Sequence, residues 1–349
     1  MKRSDDFENL LDGLNRYRSI SLIGIEKNTG KTTTLKFLLR QLEKKKVGIT
    51  SIGRDGEGKD IVTSTEKPRI YIGENIFVAT SKSCLLKSDA TLDILDEFNM
   101  STPLGNIVVG KSIYPGFIEI AGPSTKEQMR YLMDRFLEYG CELAIIDGAL
   151  SRKTFASPEV TEASILCVGA AFSENMEKLV GETCNLLELF SIEKAGDDIG
   201  EIYDRSMIDC RIAFVYGSRI EKSKLKTAIG SSKEIISNLG KKPEFIFIKG
   251  VLTDGLIMDI AGSALNPGST TFVVEDSTKL FLSKRCFDSF KARGGRIKVR
   301  NSMNIIGISV NPVSTSGYAM NYEVLRKKLK ANTDIPVFNV MEYGLDVIE

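Results

Sequence analysis

Phe7, Leu10, Leu11 and Leu14 fall at i, i+3, i+4 and i+7, so the chain is expected to open on an amphipathic helix. A short apolar strand at 19–23 follows, then a glycine-containing loop and a helix whose Leu35, Leu38, Leu39 and Leu42 repeat the same spacing. Further short apolar runs predict strands at 47–52, 69–72, 76–80, 117–121, 143–146, 164–168, 211–216, 245–248, 271–274, 305–310 and 337–340. Helix-length stretches separate most of them. Ser124-Thr125-Lys126-Glu127 has the form of a capping box, and Met129, Leu132, Met133 and Phe136 give the helix after it one apolar face. Brief continuous apolar strands alternating with helices predict an α/β fold with a doubly wound, largely parallel sheet covered on both faces.

The polar clusters at 197–200 and 240–243 are the weakest points along the chain, and a division near 240 is expected. It separates a nucleotide-binding domain, 1–240, from a C-terminal α/β extension, 241–349, whose membership of the same sheet stays open. An internal echo crosses this division: 143–150 reads Leu-Ala-Ile-Ile-Asp-Gly-Ala-Leu and 245–252 reads Phe-Ile-Phe-Ile-Lys-Gly-Val-Leu. Duplication and chance similarity among strands both account for it. In the second copy Lys249 stands where the first has Asp147.

Composition narrows the chemistry. At 42% apolar and 27% charged residues the chain has the makings of a sizeable core. Its 47 basic and 46 acidic residues leave a net charge of +1, so no global field holds nucleic acid or an anionic membrane. The longest apolar stretches, such as 165–172, are far short of the ~20 residues of a membrane helix, and residues 1–6 lead into no signal-peptide core, which predicts a cytoplasmic protein. Six cysteines are widely separated and never form C-x-x-C, as expected of buried thiols in a reducing compartment. There is no histidine. Ser-His-Asp triads, Cys-His pairs and histidine metal sites are therefore excluded, and chemistry must run on carboxylates, Lys, Arg, hydroxyls, backbone amides or a bound cation.

The strongest motif is Gly24-Ile25-Glu26-Lys27-Asn28-Thr29-Gly30-Lys31-Thr32-Thr33, between an apolar strand and a helix start. It is close to a P-loop, whose successive N–H groups and positive helix end face one concavity. In that reading Lys27, Asn28, Thr29, Gly30, Lys31, Thr32 and Thr33 bind the phosphates of ATP. Lys31 reaches the β/γ oxygens and Thr32 ligates Mg²⁺. The pattern G-x-x-x-x-G-K-[ST] puts its first glycine at Ile25, and Gly24 lies one residue early, which predicts a displaced or wider turn. Lys27 reads equally as a loop lysine near phosphate and as a solvated charge.

A magnesium nucleotide site also needs a carboxylate at a strand end. Asp147, after four apolar residues and before Gly148, has the Walker B form and is the leading candidate as metal ligand and catalytic acid. Asp55, in Gly53-Arg54-Asp55-Gly56-Glu57, and Glu119, in Phe117-Ile118-Glu119-Ile120-Ala121-Gly122-Pro123-Ser124, are further metal candidates, with Asp55 also a catalytic one. Arg54 and Arg152 stand in loops where a guanidinium could neutralise phosphoryl charge. Residues 305–312, the helix after them and the strand at 335–337 resemble the base-side elements of dethiobiotin-synthetase-like P-loop proteins. By that analogy Asn311 contacts a purine; a plain Asn-Pro turn is the other reading.

The run 27–33 resembles the P-loop of the molybdopterin-cofactor MobB proteins. Taken together, the segments 24–32, 51–57, 119–124 and 146–150 resemble the small reactivase subunit associated with cobalamin-dependent lysine and ornithine aminomutases. That resemblance implies an ATP-dependent helper that works with a MutS-like ATPase subunit to restore a cobalamin-dependent aminomutase whose cofactor has been damaged, with the γ-phosphate and Mg²⁺ acting as a switch on nearby loops. The competing expectations are a P-loop ligase or kinase that activates a small carboxylic acid, and an assembly module that hydrolyses ATP slowly or not at all. No basic patch with interleaved aromatics points to nucleic acid. A homo-oligomer is compatible with the sequence.

Overall fold

The structure is a computed structural model that describes residues 5–52, 69–149, 157–263 and 267–343. Its elements begin with α1 (Asp5–Leu14), β1 (Ser19–Gly24), α2 (Lys31–Gln41), β2 (Val47–Ser51), β3 (Ile70–Ile72) and β4 (Phe77–Ser81). They continue with α3 (Lys82–Leu85), β5 (Thr91–Thr102), β6 (Gly105–Tyr114), β7 (Gly116–Ile118), α4 (Lys126–Glu138), β8 (Leu143–Ala149) and β9 (Ala163–Gly169). Then come α5 (Met176–Phe190), α6 (Asp197–Ser206), β10 (Ile212–Tyr216), β11 (Arg219–Lys222), α7 (Ser232–Leu239), β12 (Phe245–Ile248) and β13 (Leu252–Thr253). The last are α8 (Asp254–Gly262), β14 (Thr271–Asp276), β15 (Leu280–Phe281), α9 (Lys284–Ala292), β16 (Arg296–Asn301), β17 (Ile305–Asn311), α10 (Tyr322–Lys330) and β18 (Val337–Asn339).

The chain forms two compact units, Met1–Thr183 with Ile305–Glu349, and Cys184–Asn304. The expected division near 240 is thereby corrected: it falls between α7 and β12, inside the second unit. The physical reason lies in β17. Its run Ile305-Ile306-Gly307-Ile308-Ser309-Val310 suits the interior of a covered sheet, and it pairs in parallel with β9 rather than with the strands just before it.

The first unit is built on a nine-stranded sheet in the order β18-β17-β9-β1-β8-β2-β4-β6-β5. Strands from β18 to β4 run parallel, and β6 and β5 join antiparallel, so the sheet is mixed. Alternation along β2 shows how both faces are covered. Val47 and Ile49 enter one core with Phe7 and Leu10 of α1 and Leu35 and Leu38 of α2. Gly48, between them, turns the other way, where a Cβ would come within 2.6 Å of the Phe136 ring of α4. The cap of α4 is Thr125, which accepts from Gln128 N at 3.2 Å, one residue later than the capping box at Ser124 suggests.

The second unit carries a five-stranded sheet, β11-β10-β12-β14-β16, with β12, β14 and β16 parallel and β10 antiparallel to β12. Ile246, Ile248, Phe272 and Val274 face Ile235 of α7, Ile257 of α8 and Phe290 of α9. Phe247 and Val273, on the alternate face, meet Tyr203 of α6 and Met207, which caps its end. The two strands of the sequence echo, β8 and β12, lie in different sheets, and Lys249 Nζ donates to Met207 O at 3.1 Å. Among the described residues no helix is long and apolar enough to cross a membrane.

Candidate functional site

β1 lies between β8 and β9, so its C-terminal end has a strand on each side. Ile25 N donates to Cys167 O at 3.1 Å and carries the β9 pairing one residue past Gly24. The chain then turns through Asn28 (φ 61°) and Gly30 (φ 96°), both in the left-handed region that asparagine and glycine tolerate best. Thr29 Oγ1 and Lys31 Nζ both donate to Glu26 O, each at 2.9 Å. A Cβ on Gly24 would sit 2.3 Å from Lys31 Nζ and 2.8 Å from Thr29 Oγ1. The early glycine therefore has a physical role: with Ile25 still in the ladder, Gly24 is the residue over which the loop and Lys31 fold back.

α2 starts directly from this turn. Thr34 N donates to Gly30 O at 2.8 Å, and Gly30 has no side chain to cap the helix. The N–H groups that open a helix have no partner inside it, and here no side-chain cap takes them up. The positive end of α2 thus lies at the turn formed by Thr29, Gly30 and Lys31. Thr34 itself is buried. Its Oγ1 donates to Gly30 O at 2.9 Å and meets Ser309 Oγ of β17 at 2.7 Å.

Asp147 stands near the end of β8, level with Leu22 of β1 and Ser51 of β2, and is 8% exposed. Gly148 follows with φ 109°, and the register shifts so that Ile23 pairs with Ala149. Thr32, on the first turn of α2, donates through Oγ1 to Asp147 Oδ2 at 3.5 Å. The main-chain carbonyl of Asp147 accepts from Ile52 N at 3.2 Å, and Ser51 O accepts from Gly122 N at 2.9 Å. Burial draws the Lys31 ammonium below the ordinary lysine value, against the opposing influence of Cys167 and Asp147. Burial also pushes the Cys167 thiol up to about 12, so it is a neutral group behind the loop.

The expected residues divide into four groups. Thr29, Gly30, Lys31, Thr32 and Asp147 converge, and Asn311 joins them through Gly30: a Cβ there would be 3.0 Å from Asn311 Cβ. Lys27 and Asn28 are exposed at the loop tip, and Thr33 is half-buried on α2. Glu119 lies just beyond β7, where its main-chain carbonyl accepts from Thr80 Oγ1 at 3.0 Å. Asp55, Arg54 and Arg152 lie outside the described residues. Among the described residues no three Cys, Asp or Glu side chains converge as a metal cage. Thr32 and Asp147 are the hard oxygen donors at hand, a set that suits Mg²⁺ when phosphate and water complete its shell.

Two contributors escaped the motif reading. Ser309 holds α2 to β17 from an alternate position of an apolar strand, and Glu174 accepts from Ser316 Oγ at 2.7 Å in the segment beside Asn311. Neither carries a spacing signature. The alternation of Ser309 with Asn311 and the place of Glu174 just after β9 were the available signals. No family model, curated protein or solved structure matches the chain.

Proposed function

We propose that the chain binds a magnesium nucleoside triphosphate at the β1–α2 loop and hydrolyses it as a switch in the reactivation of a cobalamin-dependent amino-acid aminomutase, beside a MutS-like ATPase. One observation carries the nucleotide part: a helix start without a side-chain cap has Lys31 folded onto its own loop and Thr32 bonded to the strand-end carboxylate Asp147. Lys31 binds the β/γ oxygens on leaving Glu26 O, and the α2 amides hold phosphate along the helix axis. Thr32 and Asp147 hold Mg²⁺, which supplies neutralising charge on the phosphate oxygens.

The switch reading is supported by what is bonded to Asp147. Ile52 N reaches its carbonyl and Gly122 N reaches the adjoining Ser51, so the segments 51–57 and 119–124 each have a hydrogen bond beside the carboxylate. A change at Asp147 has a short physical route to both. The aminomutase partner itself comes from the resemblance of the four segments.

The test is calorimetric titration with Mg-ATP and Mg-GTP beside Lys31→Ala, followed by phosphate release with and without a candidate aminomutase and its MutS-like subunit. Saturable binding lost in the variant, with hydrolysis raised by the partners, is the expected result. Binding with no partner effect and turnover of a small carboxylic acid would replace the helper with a ligase or kinase.

A further inference from the structure

Ser309 and Asn311 stand two residues apart on β17 and so face the same way. The 2.7 Å contact of Ser309 Oγ with Thr34 Oγ1 draws that face of β17 onto the corner where the loop becomes α2. Asn311 consequently lies against Gly30, its Nδ2 3.7 Å from where a Gly30 Cβ would be. Its main-chain carbonyl accepts from Ala170 N at 3.0 Å, so the segments that follow β9 and β17 are joined at the rim of the loop.

The polar groups of these two segments are not symmetric. Asn311 Oδ1 already accepts from Val313 N at 3.1 Å, which leaves Nδ2–H₂ as a donor. Ser314 and Ser316 donate to Glu174 Oε1 at 3.5 and 2.7 Å and hold an exposed carboxylate beside the same segment. A carboxylate accepts only. Val313 and Tyr318, both exposed, add apolar surface next to it.

We propose that these two segments select guanine over adenine, an inference that rests on the nucleotide site described above. Asparagine reads adenine by accepting from N6–H₂ while donating to N7. With one lone pair of Oδ1 taken by Val313 N, Asn311 is better placed to donate from Nδ2 than to accept, and guanine O6 and N7 need only a donor. Glu174 completes the match by accepting from N1–H and the 2-amino group. Adenine has neither, and its N1 lone pair would face the carboxylate, so the same residue that attracts guanine repels adenine.

The experiment titrates the full chain calorimetrically with Mg-GTP, Mg-ATP and Mg-ITP, and repeats all three with Glu174→Gln. GTP is expected to bind at least about tenfold more tightly than ATP, the scale of one well-formed base contact, with ITP weakened by loss of the 2-amino group. Glu174→Gln keeps acceptors for the two serines and is expected to erase most of the preference by weakening GTP. Equal affinity for GTP and ATP, or a preference that Glu174→Gln leaves intact, overturns the guanine assignment while the phosphate site stands. Absence of saturable binding by all three overturns the nucleotide reading and the base assignment with it.

Discussion

Thr32 Oγ1 of α2 and Asp147 Oδ2 of β8 lie 3.5 Å apart, a long hydrogen bond between a helix start and a strand end that are 115 residues apart in sequence. Both atoms are hard donors, and a cation that takes them must replace this bond with two of its own. Asp147→Asn keeps the shape and one oxygen but removes the charge. It is expected to bind Mg-nucleotide within about tenfold of the parent and to release phosphate at least about a hundredfold more slowly, the scale of losing one preorganised electrostatic contact. Phosphate-release assays beside calorimetry check this. Undiminished hydrolysis would remove Asp147 from the site.

Gly24 and Gly30 make separable demands on the loop. A Cβ on Gly24 meets the far end of Lys31 and the Thr29 hydroxyl, both of which can move, and the Glu26 carbonyl at 3.0 Å, which must give by only a few tenths of an ångström. Gly24→Ala is therefore expected to cost only about 1 kcal/mol of stability, the worth of the hydrogen bonds to Glu26 O, while weakening Mg-nucleotide binding at least about tenfold. Gly30→Ala meets a different obstacle. Its φ of 96° is strained for any residue with a Cβ, and Asn311 Cβ stands 3.0 Å from the added methyl. A cost of about 1–3 kcal/mol is expected in denaturant unfolding. Equal losses in both variants would contradict the contact geometry.

Lys31 gives a pH dependence of definite sign. Its value in the folded chain lies below that of an unfolded lysine because burial disfavours the ammonium. Below the lowered folded value both states hold the proton and the folded chain bears the whole desolvation cost. As pH rises from the lowered folded value towards the ordinary lysine value, the unfolded chain binds more protons, so ligand-free stability gains from this group. Lys31→Met should flatten that rise and leave the ligand-free protein as stable as the parent, to within about 1 kcal/mol, at pH 7. It should also abolish the stabilisation of about 2.7 kcal/mol expected from nucleotide at a hundred times its dissociation constant. Thermal unfolding across pH 7–10, with and without Mg-nucleotide, reads both effects. A parent curve no steeper than that of the variant would contradict the buried-ammonium account.

The legible parts of this chain were those with one period and local causes. The alternation of Leu35, Leu38, Leu39 and Leu42 behind a glycine turn placed α2, and the apolar run before Asp147 placed β8. The hairpin of β5 and β6 was not visible. Its register shifts between Thr91 and Leu92, between Ile94 and Asp96 and between Phe98 and Thr102, so the period-two alternation that marks a strand is broken each time. The division near 240 misled for a different reason: Gly240-Lys241-Lys242-Pro243 marks a helix end inside one unit, whereas the return of β17 to β9 is a long-range pairing with no local signal. The loop residues were readable as a motif. The role of Gly24 and the neighbours of Asn311 were not, because both depend on which atoms the fold brings within contact distance.

Thr34 and Ser309 test whether the corner between loop and sheet behaves as one unit. Both are buried, and each has a hydroxyl that the other satisfies at 2.7 Å. Because Thr34 Oγ1 also donates to Gly30 O, its own proton is committed there, and Ser309 supplies the proton of the shared bond. Thr34→Val leaves the Ser309 hydroxyl in a buried place without that acceptor and is expected to cost about 1–3 kcal/mol in denaturant unfolding, the desolvation penalty of an unmatched buried group. Ser309→Ala removes one donor from Thr34, whose Oγ1 keeps Gly30 O and the Cys167 thiol, and is expected to cost about 1 kcal/mol. The double variant removes both halves of the bond, so it should cost less than the sum by about 1 kcal/mol. Strict additivity would mean that the two hydroxyls do not interact, and would detach β17, and Asn311 with it, from the helix start that holds Lys31.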